Sequence, residues 1–134
     1  NNVYGFNQYP EKLIPKFIQL LRQRRKVTIQ GDGSVVRSFL FVTDVARALE
    51  LVLVKGKIGE IYNIGGNENS EYSVMDITKK LIKKIVKSEN YDDHITFVKD
   101  RPFNDKRYFI SNQKIKDLGW EQTINLDKGL ELLL

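Results

Sequence analysis

The segment KVTIQGDGSVVRSFLFVTDVARALELVLVKG (residues 26–56) constrains the fold more than any other. Its first part alternates apolar and polar residues, the period of a strand with one buried face, and Gly31-Asp32-Gly33 breaks it as a turn. The second part changes period. Thr43 reads as an N-cap, and Val45, Ala48, Leu49, Val52 and Leu53 then form an amphipathic helical stripe that stops at Gly56. Strands and helices in such close succession must cover one another, which is the requirement of an α/β or mixed architecture.

The rest of the chain repeats this alternation. Pro15 falls in the first turn of a helix that continues through KFIQLLRQR, with Phe17, Ile18 and Leu21 on one face. EIYNIGG (60–66) has the look of a buried strand closed by two glycines. Ser73 and Asp76 make a capping-box start for VMDITKKLIKKIVK. HITFV (94–98) is a strand candidate, SNQKIKDLGW a short helix stopped by Gly119, and NLDKGLELLL a last helix. There is no internal repeat or long linker, and 134 residues suit one ordinary domain.

Composition removes several classes of function. At 41% hydrophobic and 29% charged residues the chain reads as globular. No apolar run reaches the ~20 residues of a membrane span, and the first residues show no signal peptide, so a cytoplasmic protein without membrane attachment is expected. The absence of cysteine excludes thiolate metal sites and is compatible with a reducing compartment. The single histidine, His94, is read as a surface loop residue, and no metal site is expected.

A net charge of +5 and a pI near 9.4 favour anionic partners, among which nucleic acid and a phosphorylated metabolite are both candidates. Basic residues cluster at RQRRK (22–26) and KKLIKK (79–84) but do not line one aromatic-studded strand. The second cluster reads as the solvated face of a helix, and Tyr62 and Trp120 read as core rather than stacking platforms.

Two kinds of catalytic machinery are missing from these residues. Gly31 and Gly33 are followed by Val36 where a dinucleotide loop needs a third glycine, and NENSEY after Gly65-Gly66 lacks the remaining one. None of the six tyrosines is followed four positions later by lysine, so the Tyr-x-x-x-Lys pair of short-chain dehydrogenases is absent.

Four blocks, NNVYGFNQYPEKLIPKFI, GDGSVVRSFLFVTDVARAL, GEIYNIGG and DRPFNDKRYF, follow one another in an order and spacing that resembles the C-terminal part of nucleotide-sugar 4,6-dehydratases. These are extended short-chain dehydrogenase/reductases. The first and last blocks look most like the UDP-glucose branch, then the dTDP-glucose branch, which more often has Gly-His where this chain has Phe103-Asn104. The resemblance implies that residues 1–134 are a nucleotide-sugar-binding C-terminal portion carrying the last elements of a Rossmann-type sheet. An NAD-binding N-terminal portion would supply the cofactor loop and the Tyr-x-x-x-Lys pair, and the fragment alone would be inactive. In the family, NAD+ takes hydride from C4 of the sugar, water leaves across C5–C6, and the hydride returns to C6, giving a 4-keto-6-deoxy sugar nucleotide. The complete enzyme would be a homodimer acting on UDP-glucose or dTDP-glucose.

By the same resemblance Arg37 and Arg101 contact the diphosphate, a role suited to a planar guanidinium that pairs with two phosphate oxygens. Asn2 would bond the sugar–phosphate region, Lys12 and Leu13 the nucleotide, and Thr28 and Gln30 the base and ribose. Asn104 would belong to the loop that closes over substrate, and Val3 would approach the nicotinamide end of NAD. No catalytic residue is expected in this chain. Arg107 reads as an ion-pair partner of Asp100 or Asp105. The chain departs from the family at Phe6, where proline is usual, and has no asparagine aligned at Glu71. An epimerase or decarboxylase of the same superfamily, or a basic nucleic-acid-binding domain, are the alternative readings.

Overall fold

The computed structural model describes residues 2–103, 107 and 110–134, with Glu68 described by its backbone only. The elements run β1 (Asn2–Tyr4), α1 (Leu13–Arg22), β2 (Val27–Gln30), β3 (Val36–Phe41), α2 (Val42–Lys55), β4 (Glu71–Ser73), α3 (Val74–Ile85), β5 (Ile95–Val98), α4 (Gln113–Lys116) and α5 (Leu126–Leu133). Short 3-10 turns cover Glu68–Ser70 and Asp92–His94. The strands form one sheet in the order β1-β3-β4 and a second pair, β2-β5. Both registered ladders are parallel: Asn2 to Tyr4 lie beside Phe39 to Phe41, and Val27 to Gln30 beside Ile95 to Val98. The expected α/β class is therefore observed.

The turn at Gly31–Gly33 does not make a hairpin. β2 and β3 enter different sheets, and the chain divides into two compact units near this point. One unit contains α1, β2, α3 and β5. The other contains β1, the Ser38–Phe41 end of β3, α2, α4 and α5.

In the first unit, α1 buries Ile14, Phe17, Ile18 and Leu21, and α3 buries Ile77, Thr78, Leu81 and Ile82. The two helices pack on each other and on β2, whose Val27 and Ile29 are fully buried. α3 starts at the expected capping box: Ser73 Oγ accepts from the Asp76 N–H, and Asp76 Oδ2 accepts from the Ser73 N–H, each at 3.0 Å. The lysines of KKLIKK flank the buried Leu81 and Ile82, and Lys79 and Lys83 are exposed as a solvated face requires.

In the second unit, the core is Leu40, Ala48, Ile115 and Trp120, with Val45, Leu51, Val52, Tyr62 and Ile64 packed against it. Trp120 and Tyr62 are thus core, as expected. Gly129 on α5 lies so close to the Tyr4 ring that a Cβ would collide with it.

Four expectations are corrected by the structure. The N-cap of α2 is Phe41, not Thr43, and it makes no side-chain cap. Phe41 is fully buried against Tyr4 and Phe6 in edge-to-face contacts at 5.3 and 5.6 Å, so packing rather than capping sets where the helix begins. The buried stripe also differs from the expected one: Leu49 and Leu53 are 59% and 87% exposed, while Asp44 and Ala48 are buried. Residues 60–66 show strand-like alternation, with Ile61 and Asn63 exposed and Tyr62 and Ile64 half-buried, but they form no ladder among the described residues. His94 is half-buried at the end of a 3-10 turn rather than lying in an open loop.

Candidate nucleotide-sugar site

The β2–β5 pair organises the polar residues that the sequence singled out in the first unit. Side chains alternate along β2, so burying Val27 and Ile29 against α1 and α3 turns Thr28 and Gln30 to the opposite, exposed face. The parallel register places Thr96 beside Thr28 and Val98 beside Gln30, both exposed. Thr96 and Val98 were not among the expected site residues. HITFV was legible as a strand, but parallel pairing of strands so far apart in sequence leaves no local signal.

Both strands end together. The Gly31 N–H donates to the carbonyl of Val98, the last residue of β5, at 3.0 Å, extending the ladder one step past β2. Gly31 then takes a φ of 59°, and the Asp100 carboxylate lies 3.0 Å from where a Cβ would stand. The other carboxylate oxygen of Asp100 accepts from the Arg101 N–H at 2.8 Å. Two turns from different parts of the chain are thereby held against one another, and Arg101 projects from their edge as an exposed residue. In open α/β sheets, ligands bind outside the carboxyl ends of parallel strands, and Gln30, Gly31, Asp100 and Arg101 occupy that position here.

Lys12 is the N-cap of α1 and Leu13 its first residue. Glu11 holds the Lys12 ammonium at 2.9 Å. Hydrogen bonding from Lys12, with its charge, keeps the Glu11 carboxyl below its usual value. Arg37, half-buried on β3, donates from Nη1 to the Val36 carbonyl at 2.8 Å. Asn2 and Val3 lie on β1 in the second unit; Asn2 is half-buried and Val3 is 39% exposed. Asn104 and the Asp105 considered as a partner for Arg107 lie outside the described residues. No group of His, Asp and Glu able to hold a metal occurs among the described residues.

Gly31 and Gly33 belong to the turn against Asp100 and Met75, and Gly66 abuts Ser38 and Ser70.

The sequence profile of the GDP-mannose 4,6 dehydratase family matches residues 1–133. The chain belongs to that family. It is 49% identical over 131 residues to an Arabidopsis thaliana trifunctional UDP-glucose 4,6-dehydratase/UDP-4-keto-6-deoxy-D-glucose 3,5-epimerase/UDP-4-keto-L-rhamnose-reductase, a match covering 98% of this chain and 19% of that protein. The structure of dTDP-glucose 4,6-dehydratase from Bacillus anthracis, solved with NAD, superposes with a TM-score of 0.87 at 37% identity, covering 98% of this chain and 40% of that one. A UDP-glucose 4-epimerase from Thermotoga maritima, solved with UDP-glucose, gives 0.86 at 31% identity over 98% of this chain and 41% of its own. The chain thus spans a fifth to two-fifths of the relatives it matches.

Proposed function

We propose that this chain forms the nucleotide-sugar-binding portion of a UDP-glucose or dTDP-glucose 4,6-dehydratase. The observation that carries this reading is the parallel β2–β5 pair, which presents Thr28 and Gln30 on one exposed face and Arg101 just past its carboxyl end. Arg101 supplies the guanidinium for the diphosphate and Arg37 a second one. Thr28 and Gln30 offer a hydroxyl and an amide, groups that both donate and accept, for the base and ribose. Lys12 and Leu13 meet the nucleotide at the start of α1, Asn2 the sugar–phosphate junction, and Asn104 the closing loop.

In this reading the residues here bind and orient, while hydride and proton transfer belong to an NAD-binding portion within the length that the relatives have beyond this match. Val3 approaches the nicotinamide end of the cofactor. The complete enzyme acts as a cytoplasmic homodimer.

Titration calorimetry of the intact protein with UDP-glucose and dTDP-glucose tests the reading. Arg101→Ala should weaken binding of the preferred sugar nucleotide about 10- to 100-fold, the loss of a charge-assisted hydrogen-bond pair. Unchanged affinity in Arg101→Ala, or tight oligonucleotide binding that collapses steeply with salt, would overturn it. The likeness to the 4-epimerase favours one other outcome: product analysis showing a C4 epimer instead of a 4-keto-6-deoxy sugar would reassign the reaction while keeping the site.

A further inference from the structure

A second basic site lies at the other end of the same strand pair. Arg24 and Arg25 shortly precede β2, His94 immediately precedes β5, and the Val27–Ile95 register brings these approaches together. With Arg22 they line a cavity of about 550 Å³ whose apolar wall includes Leu21 and Ile85. Four-residue strands rising ~3.3 Å per residue separate it by about 13 Å from the Gly31 end. No carboxylate lines the cavity among the described residues. The nearest acids in sequence, Asp92 and Asp93, share the turn of His94, and Asp93 accepts from Asn90 Nδ2 at 2.7 Å.

Arg24 is an unusual choice for its position. Helix α1 closes with the Arg24 N–H donating to the Leu21 carbonyl at 3.0 Å and the Arg25 N–H to the Leu20 carbonyl at 2.9 Å. This paired closure places its penultimate residue in the left-handed region, where glycine is normally found, and Arg24 has a φ of 56°. A side chain there carries a conformational cost that glycine avoids. Favourable charge at the helix C-terminus does not require Arg24, because Arg22 already stands in the last turn. Arg22, which also lines the cavity, donates to the Leu134 carbonyl at 2.9 Å. Arg25 makes a long contact, 3.4 Å, to Gln23 Oε1.

We propose that this cavity binds a small phosphate-bearing anion, with Arg24 and Arg25 as its phosphate contacts, at a site separate from the sugar-nucleotide site. Paired guanidiniums match phosphate oxygens, and the enclosed volume lies in the range of small-molecule pockets. A strained arginine facing a cavity marks a local rule broken where a side chain has a use.

The test is calorimetric titration of inorganic pyrophosphate into the intact protein carrying Arg37→Ala and Arg101→Ala, which removes the first site's guanidiniums. Binding should persist in that background and fall at least 10-fold when Arg24→Gly is added. Thermal melting of Arg24→Gly should be unchanged or raised, since glycine suits the backbone there, and Arg25→Gln provides an independent second variant. Absence of pyrophosphate binding in the Arg37/Arg101 background overturns the proposal, as does binding indifferent to both Arg24→Gly and Arg25→Gln. Displacement of pyrophosphate by a single-stranded oligonucleotide at far lower concentration overturns the assignment to a small molecule.

Discussion

Asp44 and Arg101 each follow the end of a β-strand by three residues, and the chain treats them in opposite ways. Asp44 is fully buried. Its carboxylate accepts from Arg47 Nη2 at 2.7 Å, the Thr123 hydroxyl at 2.8 Å, and the N–H groups of Thr123 and Ile124 at 3.1 and 2.9 Å. Its backbone carbonyl accepts from the Trp120 indole at 2.9 Å, tying the core aromatic to the start of α2. Arg101 is exposed, and among the described residues its guanidinium has no protein partner. A charge used to hold the fold is saturated from within. Arg101 is instead held through its backbone, by Asp100, and its side chain is exposed.

That difference makes opposite predictions for the two residues. Asp44→Ala should leave the Thr123 and Ile124 amides and the Thr123 hydroxyl without their acceptor and cost about 1–3 kcal/mol, the penalty for unsatisfied buried donors. A loss of unfolding free energy below about 1 kcal/mol, from urea titration, would mean the network is incidental. Arg101→Ala should leave stability within about 0.5 kcal/mol, as surface substitutions do, while sugar-nucleotide affinity falls. A large loss of stability from Arg101→Ala would place it with Asp44 as scaffolding.

The two residues were not equally legible. Asp44 stands in TDVARALEL as an ordinary acidic residue in the first turn of a helix, and nothing local announces that the 123–124 segment will cover it. Expecting Thr43 as the cap missed how directly the buried Phe41 carries strand into helix. The elements themselves were easier to read: the capping box at Ser73, the helices around Phe17 and Leu81, and the strand at 95–98 follow from period and end chemistry. Pairing was not readable, because β2 joins β5 rather than its sequence neighbour β3. For the site, residue chemistry and family pattern picked out Thr28, Gln30 and Arg101, but the Asp100–Gly31 contact depends on two turns meeting in space.

That contact gives a smaller, sharper test. Gly31→Ala forces a Cβ into the left-handed region and against the Asp100 carboxylate. The backbone part should cost about 1–2 kcal/mol. Because Asp100 anchors the Arg101 N–H, sugar-nucleotide affinity should fall as well, whereas adding Asp100→Ala should restore the part of the stability lost to the steric contact without restoring affinity. Unchanged affinity in Gly31→Ala would show that Arg101 is positioned independently of the β2 turn.

Asp76 is the intermediate case, an exposed carboxylate satisfied by one local partner, and it should produce the smallest effect. Ser73 Oγ donates to Asp76 Oδ2 at 2.6 Å, and that hydrogen bond is the main reason the Asp76 carboxyl is held below the usual aspartate value. Ser73→Ala should cost about 1 kcal/mol at neutral pH, as loss of an N-cap does. Because the folded value is lowered, the carboxylate's contribution is fully present above the unfolded aspartate value of about 3.9 and declines as pH falls through the folded value. The gap between wild type and Ser73→Ala should therefore be flat from pH 7 to 5 and narrow only in more acidic solution, measured by urea unfolding at each pH. A gap that narrows already near pH 6 would show that the Asp76 carboxylate is not its source.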